Sequence, residues 1–383
     1  MLPATRQAPP TAAAAAARLA RAAVTTTRRY DHQVVQRVPE NAVYQTAGPG
    51  GRSSRGDRVV TVFGSTGFLS RYLCRNWAKN GNTLVVPFRA SDEDKRHLKV
   101  MGDLGQVIPM RWHIEDEKSI AECVRHADVV YNLVGRDFET KNFTFNKAMV
   151  EGAQRIARIC REEGVERMVH VSALNANVNS PSRFLQAKAL GEEVVRAEFA
   201  DATIVRPAGT YGVEDRFFNR LGWLMRVLPF GIPLPRNGNA LISPVHCSDV
   251  GMALFQAGRQ DRFAGKTIEL VGPERYRYRD VVKFFVELCE REKFLFPLPM
   301  STLTMMAQAL DTISAVPPIT ADEVIRHSLD ENVTPGTLRF ADLGIQPATV
   351  DHCIGRYVRP YRTETGRSLE QEIKALSKVL VPV

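Results

Sequence analysis

The chain's 383 residues leave room for about two domains at the usual ~100–200 residues each, which excludes a small disulfide-stapled scaffold. With 44% hydrophobic, 24% charged and 8% aromatic residues, it has the proportions of a folded globular chain rather than a disordered, collagen-like or polytopic membrane protein. The formal charge of +9 is concentrated at the N-terminus, where residues 1–37 carry six arginines against the single acid Asp31; the remainder lacks the clustered base that a phosphate-tracking nucleic-acid groove requires.

That N-terminal stretch reads as an address. The alanines from Ala12 to Ala17, the spaced arginines and the threonines from Thr25 to Thr27 fit a basic, amphipathic organelle-import sequence, and Arg18 and Arg21 interrupt the only apolar run that a secretory signal could use. Mitochondrial import with processing near Arg28 to Tyr30 is expected; plastid import and a plain Ala-rich tail are alternatives that composition leaves open.

From Val59 onward, short β-branched runs at 59–63, 83–88, 106–111, 128–134, 167–172 and 202–206 alternate with amphipathic stretches at 71–80, 118–126, 143–163 and 182–199. Nearly continuous apolar strands separated by helices predict an α/β domain with a doubly wound parallel sheet. Past Gly212 the rhythm breaks at Pro229, Pro233, Pro235 and Asn237-Gly238-Asn239. One further strand and helix, 266–271 and 278–293, are expected to join the main sheet. Proline-punctuated short helices after Phe294 predict a small, mostly helical C-terminal lobe. The division is therefore 1–57 as transit peptide and extension, 58–293 as the Rossmann domain and 294–383 as the lobe.

The six cysteines show neither C-x-x-C nor Cys/His metal spacing, so they read as buried thiols. The uncharged stretch 294–310 is broken by Pro297 and Pro299 and falls short of the ~20 residues a spanning helix needs, so no transmembrane segment is expected. Its apolar side chains are candidates for a partner or a peripheral lipid contact, or for the lobe's own core.

Strand 59–63 runs directly into Gly64-Ser65-Thr66-Gly67-Phe68-Leu69-Ser70. A glycine turn between a strand and a helix lets backbone amides approach a pyrophosphate at a positive helix end. Such a turn also occurs where nothing binds, but its place in the first βα unit favours a nucleotide. Ser70 stands where a third glycine is expected. Arg89, at the end of the second strand, suits the extra phosphate of NADPH, while Asp92 nearby keeps NAD as the alternative. Asn132-Leu133-Val134-Gly135 ends the fourth strand beside the same crevice.

Together with Ser172 at the end of the fifth strand, Phe184-Leu185-Gln186-Ala187-Lys188 resembles the Tyr-x-x-x-Lys signature of the extended or atypical short-chain dehydrogenase/reductase superfamily. In that superfamily the lysine holds the nicotinamide ribose and lowers the tyrosine pKa, so that the phenol exchanges a proton with substrate. Here the tyrosine position is Phe184, which has no proton to exchange. Lys188 is then a ribose ligand, a lone acid/base group or a surface cation. His170 and His246 are either proton carriers or hydrogen-bonded core residues. Val205-Arg206-Pro207 and the segment Pro244 to Val250, in which Asp249 is expected to cap the following helix, complete the resemblance.

A closer resemblance lies in Asn132-Leu133-Val134-Gly135-Arg136-Asp137-Phe138-Glu139-Thr140-Lys141-Asn142-Phe143, supported by Met101 to Gln106, His170 to Asn177, Gly212 to Phe217 and Val271 to Pro273. Over roughly residues 57 to 350 the chain resembles the Rossmann-type accessory subunits of mitochondrial complex I, alpha subcomplex subunit nine. This resemblance implies bound NADPH, a matrix-side position at the inner membrane near the junction with the membrane arm, other complex I subunits as partners, and a structural role with no catalytic residue. The implied cofactor contacts are Gly64, Ser65, Thr66, Gly67, Phe68, Leu69, Arg89, Leu133, Val134, Gly135, Ser172, Lys188 and Pro207. A soluble matrix reductase or epimerase working through Lys188 and Ser172 is the competing expectation, and a sensor of cofactor redox state is a third.

Overall fold

The central sheet is built from seven strands, β1 (Val59–Phe63), β2 (Thr83–Phe88), β3 (Val107–Arg111), β4 (Val129–Asn132), β5 (Arg167–Val171), β6 (Thr203–Pro207) and β7 (Thr267–Leu270). They lie in the order β7-β6-β5-β4-β1-β2-β3, and every neighbouring pair is parallel. The chain steps outward from β1 to β3 and then re-enters beside β1 at β4. The connections on either side of β1 and β4 therefore diverge and open a crevice at the carboxyl ends of these strands. The computed structural model describes residues 56, 58–89, 93, 95–228, 231–313, 317–362, 369–377, 380 and 382, all within one compact unit, 49–383. The expected transit peptide and Asp92 lie outside the described residues.

Strand alternation assigns the two faces. Val60, Val62, Val129 and Tyr131 pack against Leu73 and Trp77 of α1 (Phe68–Lys79) and against a later helix bearing Leu254 and Phe255, Cys247–Arg259. Phe63, Val130 and Ile204 turn to the other face, where they meet α2 (Glu117–Val124), α3 (Gly152–Glu162) and Val195 of α4 (Arg183–Glu198). Tyr131 ties the first face together: its hydroxyl accepts from Trp77 Nε1 at 3.1 Å and donates to the Leu254 carbonyl at 3.0 Å.

A second core differs from the sequence expectation. Besides the short helix Arg96–Lys99, the remaining α-helices among the described residues are α5 (Phe218–Val227), α6 (Cys247–Arg259), α7 (Tyr278–Leu288), α8 (Met300–Ile313), α9 (Ala321–Arg326), α10 (Val350–Val358) and α11 (Leu369–Leu376). Only the strand of the 266–293 unit joins the main sheet. Its helix α7 buries Val281, Phe284 and Phe285 with Phe218 of α5 and Ile354 of α10, because α7 is apolar on a face that the sheet does not need. The segment 294–310 forms a strand, Phe294–Leu298, paired with Gly231–Pro235, followed by α8, which at 14 residues is longer than the short helices expected. The stretch 143–163, read as one helix, opens with a π-helical segment at Asn146–Glu151 before α3 begins. No helix among the described residues is long and apolar enough to cross a membrane.

Candidate cofactor-binding site

The first wall of the crevice is the turn after β1. Gly64 has φ +79°, and a Cβ there would lie 2.9 Å from the Leu133 carbonyl carbon and oxygen, so only glycine permits the β1 turn to run against the end of β4. The Gly67 amide donates to the Gly64 carbonyl at 2.9 Å. Gly67 is also the N-cap of α1, in extended conformation; no side chain caps the helix and its first turn carries no acid. The helix thus begins with uncompensated partial positive charge. Ser65 is buried and donates to the Pro87 carbonyl at 2.8 Å, while Thr66, Phe68 and Leu69 are half-buried. Ser70, the departure from glycine, spends its hydroxyl inside the turn on the carbonyls of Ser65 (2.7 Å) and Gly67 (2.8 Å).

Beside it, Arg89 follows β2 and is exposed. Arg136 has its pKa lowered by burial and then by the nearby charges of Arg89 and Arg216, which places two cations in one neighbourhood. Neither Arg89 nor Arg136 has an ion pair among the described residues. Lys95 Nζ stands 4.3 Å over the Phe88 ring and adds a third positive charge at this edge.

The end of β4 forms the second wall. The Asn132 side chain accepts from the Val134 amide at 3.1 Å, and the Leu133 amide donates to the Phe63 carbonyl at 3.0 Å. Leu133 and Val134 are half-buried and Gly135 is exposed. A Cβ on Gly135 would come within 3.3 Å of Lys188 Nζ, so this glycine makes room for the lysine on α4. Lys188 is buried and donates to the Val171 carbonyl at 2.9 Å. Burial pushes its pKa down to about 8 against the upward pull of Asp137 and Glu192.

Ser172 is buried with its Oγ unpartnered among the described residues, and its amide is fixed on the Val205 carbonyl at 2.8 Å. Pro207 ends β6 and accepts from the Leu174 amide at 2.9 Å. His170 is 2% exposed, and neither ring nitrogen is hydrogen-bonded among the described residues. Burial and then the Lys188 charge hold its pKa near 3, so it is a neutral core residue at physiological pH. His246 Nε2 lies 2.5 Å from the Tyr357 hydroxyl. Asp249, expected to cap α6, instead sits inside its first turn and accepts from the Ala348 amide at 2.8 Å.

Phe184 is buried. Its ring meets Phe145 edge-on at 5.8 Å and 83°, Lys188 Nζ is 5.8 Å from its centroid, and the Arg326 guanidinium lies 4.2 Å over it. Arg326 belongs to α9, about 140 residues downstream, and no sequence spacing pointed to it. The arrangement suits a dinucleotide: Gly64, Gly67 and Gly135 stand where a Cβ would collide or crowd, a helix opens with free positive charge, and Lys188 is fixed on the carbonyl of Val171, the residue before Ser172. It holds no phenol at position 184. Among the described residues no group of three His, Cys, Asp or Glu side chains could hold a metal.

Comparison with known proteins agrees with this geometry. A family described as NAD(P)H-binding matches residues 64–216. The chain is 41% identical over 315 residues, 82% of each chain, to the mitochondrial NADH-ubiquinone oxidoreductase 40 kDa subunit of Neurospora crassa. It is 36% identical over 329 residues, 85% of this chain and 86% of the other, to the mitochondrial NADH dehydrogenase (ubiquinone) 1 alpha subcomplex subunit 9 of Rattus norvegicus. A more distant relative, the ceramide reductase of Caulobacter vibrioides, is 24% identical over 292 residues, 74% of this chain and 88% of the other. Among solved structures, the triphenylmethane reductase of Citrobacter sp. superposes with a TM-score of 0.62 at 13% identity, covering 79% of this chain and 99% of that one, which is a likeness of fold alone. At these identities and coverages the chain belongs to the alpha subcomplex subunit 9 (40 kDa subunit) family of mitochondrial NADH dehydrogenase.

Proposed function

We propose that the chain is a non-catalytic, NADPH-binding accessory subunit of mitochondrial complex I, peripheral on the matrix side of the inner membrane and packed among matrix-arm subunits near the membrane-arm junction. The observation that carries the reading is a retained cradle beside a disabled proton donor. Gly64, Gly67, Gly135 and Lys188 keep the space and charge that a dinucleotide needs, while position 184 carries a phenyl ring clamped between Phe145 and Arg326. The names of the relatives support the assembly. The cations at Arg89, Arg136 and Lys95 support the phosphorylated form of the cofactor.

A bound NADPH supplies hydride chemistry, yet the residues of this chain only hold it. The α1 amides would hold its pyrophosphate, Lys188 its ribose and Arg89 its extra phosphate. Removing general acid/base help costs about 10²–10⁴ in rate. The decisive experiment is mild detergent extraction of mitochondria, followed by native sizing and mass analysis of the nucleotide released from the particle. NADPH, about one per chain, from a complex I-sized particle is expected. A free monomer, or a particle releasing NADH or no nucleotide, would overturn the reading.

The unpartnered Ser172 Oγ beside a lysine with a lowered pKa favours one second reading, a matrix reductase or epimerase working through Lys188 and Ser172. Multiple-turnover NADPH oxidation abolished by Lys188→Ala is its signature, and absence of turnover across a broad carbonyl panel excludes it.

A further inference from the structure

Helix α9 lies across the start of α4, far from it in sequence, and a set of polar contacts fastens it there. Asp322 accepts from Ser182 Oγ at 2.8 Å and from the Arg183 amide at 2.7 Å. The adjacent Glu323 pairs with Arg220. Arg326, one turn on, lies 4.2 Å over the Phe184 ring and pairs with Asp137 at 3.5 Å and with Asp322 at 3.5 Å. Asp137 is two residues beyond Gly135 and takes a second guanidinium, that of Arg216, at 3.3 Å. Farther on, Glu331 accepts from the Gly209 and Ser243 amides at 2.9 and 2.6 Å.

A guanidinium laid on a buried ring gives up hydration, and here its Nε and Nη2 are buried with no hydrogen-bond partner among the described residues, Nε standing only in ion-pair range of Asp322. It stays because Asp137 and Asp322 hold it. Burial would raise the Asp137 pKa, but Arg326, Arg216 and Arg220 outweigh that and keep the carboxyl below its ordinary value. The clasp therefore stays charged at neutral pH. Lys188 approaches the same ring, its Nζ 5.8 Å from the centroid, so two cations crowd the side chain at the position where the superfamily signature carries its phenol.

We propose that residues 320–331 form an inhibitory strap: Arg326, bolted to Asp137 and laid on Phe184, closes the substrate side of the crevice and leaves Lys188 reachable only from the cofactor side. The chain is then closed to substrate as well as lacking a proton donor, and returning a tyrosine to position 184 does not by itself make an enzyme.

The test is trace acetylation of the full-length protein with acetic anhydride at pH 8, where about half of the pushed-down Lys188 amine is neutral and nucleophilic. Mass spectrometry reads Lys188 against the exposed Lys99 and Lys118, with and without saturating NADPH. Arg326→Ala is expected to raise relative Lys188 labelling roughly tenfold and Asp137→Asn roughly threefold through local opening. Arg158→Ala, which loses half-exposed pairs with Glu117 and Glu162, leaves it unchanged. Labelling within about twofold of the parent in both Arg326→Ala and Asp137→Asn, a change smaller than local opening produces, overturns the strap. If Arg326→Ala loses its cooperative melt, Asp137→Asn decides alone. NADPH that changes labelling in no protein counts against the cofactor reading but leaves the strap standing, because variant and parent are compared under one condition.

Discussion

The Ser70 hydroxyl sits 2.7 Å from the Ser65 carbonyl oxygen and 2.8 Å from that of Gly67, on a side chain only 1% exposed. A serine that breaks the glycine pattern thus acts as an internal brace for the turn after β1. Ser70→Ala should cost about 1–2 kcal/mol, because it leaves buried carbonyls without that donor. Ser70→Gly should cost about 1 kcal/mol more, since glycine adds backbone freedom in the first turn of α1. Urea denaturation checks both, and a Ser70→Gly protein as stable as the parent would contradict the brace.

Two glycines separate strain from close approach. Gly64 and Gly105 have nearly the same φ, +79° and +78°, but a Cβ on Gly105 meets nothing within 4 Å whereas one on Gly64 meets the Leu133 carbonyl at 2.9 Å. Gly105→Ala should cost about 1–2 kcal/mol from left-handed backbone alone. Gly64→Ala should cost at least about 1 kcal/mol beyond that, because the β1 and β4 ends must part, and it should abolish NADPH binding. Equal thermal destabilisation of the two variants would show that the contact with Leu133 is unimportant.

These sites were legible because their signals are local. β1 and β2 fall where the apolar runs place them, and Gly64 and Lys188 belong to patterns only a few residues long. Pro87 sits inside β2 and still leaves its carbonyl free to accept from Ser65, so the turn and the second strand are coupled by a bond that no spacing rule announces. What stayed hidden is what tertiary packing assembles. Arg326 reaches Phe184 from the far end of the chain, Asp249 abandons its cap for the Ala348 amide, and α7 leaves the sheet for a core shared with α5 and α10. An amphipathic pattern says that a face will be buried but not against which partner.

The proposal of NADPH rather than NADH rests chiefly on Arg89. Its guanidinium is exposed and has no ion pair among the described residues, and its charge is felt by Arg136. Arg89→Leu should weaken NADPH binding about 10- to 100-fold, the loss of one charge-assisted phosphate contact, and change NADH binding less than about threefold. Calorimetric titration of both nucleotides distinguishes the outcomes. An equal loss for both would place Arg89 on the shared part of the cofactor and remove the argument for NADPH.

Lys188 makes stability depend on pH in a window set by its own ionisation. Its pKa in the folded protein is pushed down to about 8 by burial, against the 10.5 of an ordinary lysine, so between these values the unfolded chain binds more protons at this site than the folded one. Stability must then rise with pH across the window. The contribution is complete above 10.5, shrinks as pH falls towards 8, and is gone once the folded lysine is protonated. Lys188→Met removes the site while keeping an unbranched apolar stem. The stability of the parent relative to this variant should therefore increase by roughly 1–3 kcal/mol between pH 8 and 10.5. Urea midpoints at several pH values measure the difference, in which tyrosines and cysteines common to both proteins cancel. A flat difference would mean that Lys188 is hydrated and charged in the folded state, and the buried ammonium facing Gly135 would have to be abandoned.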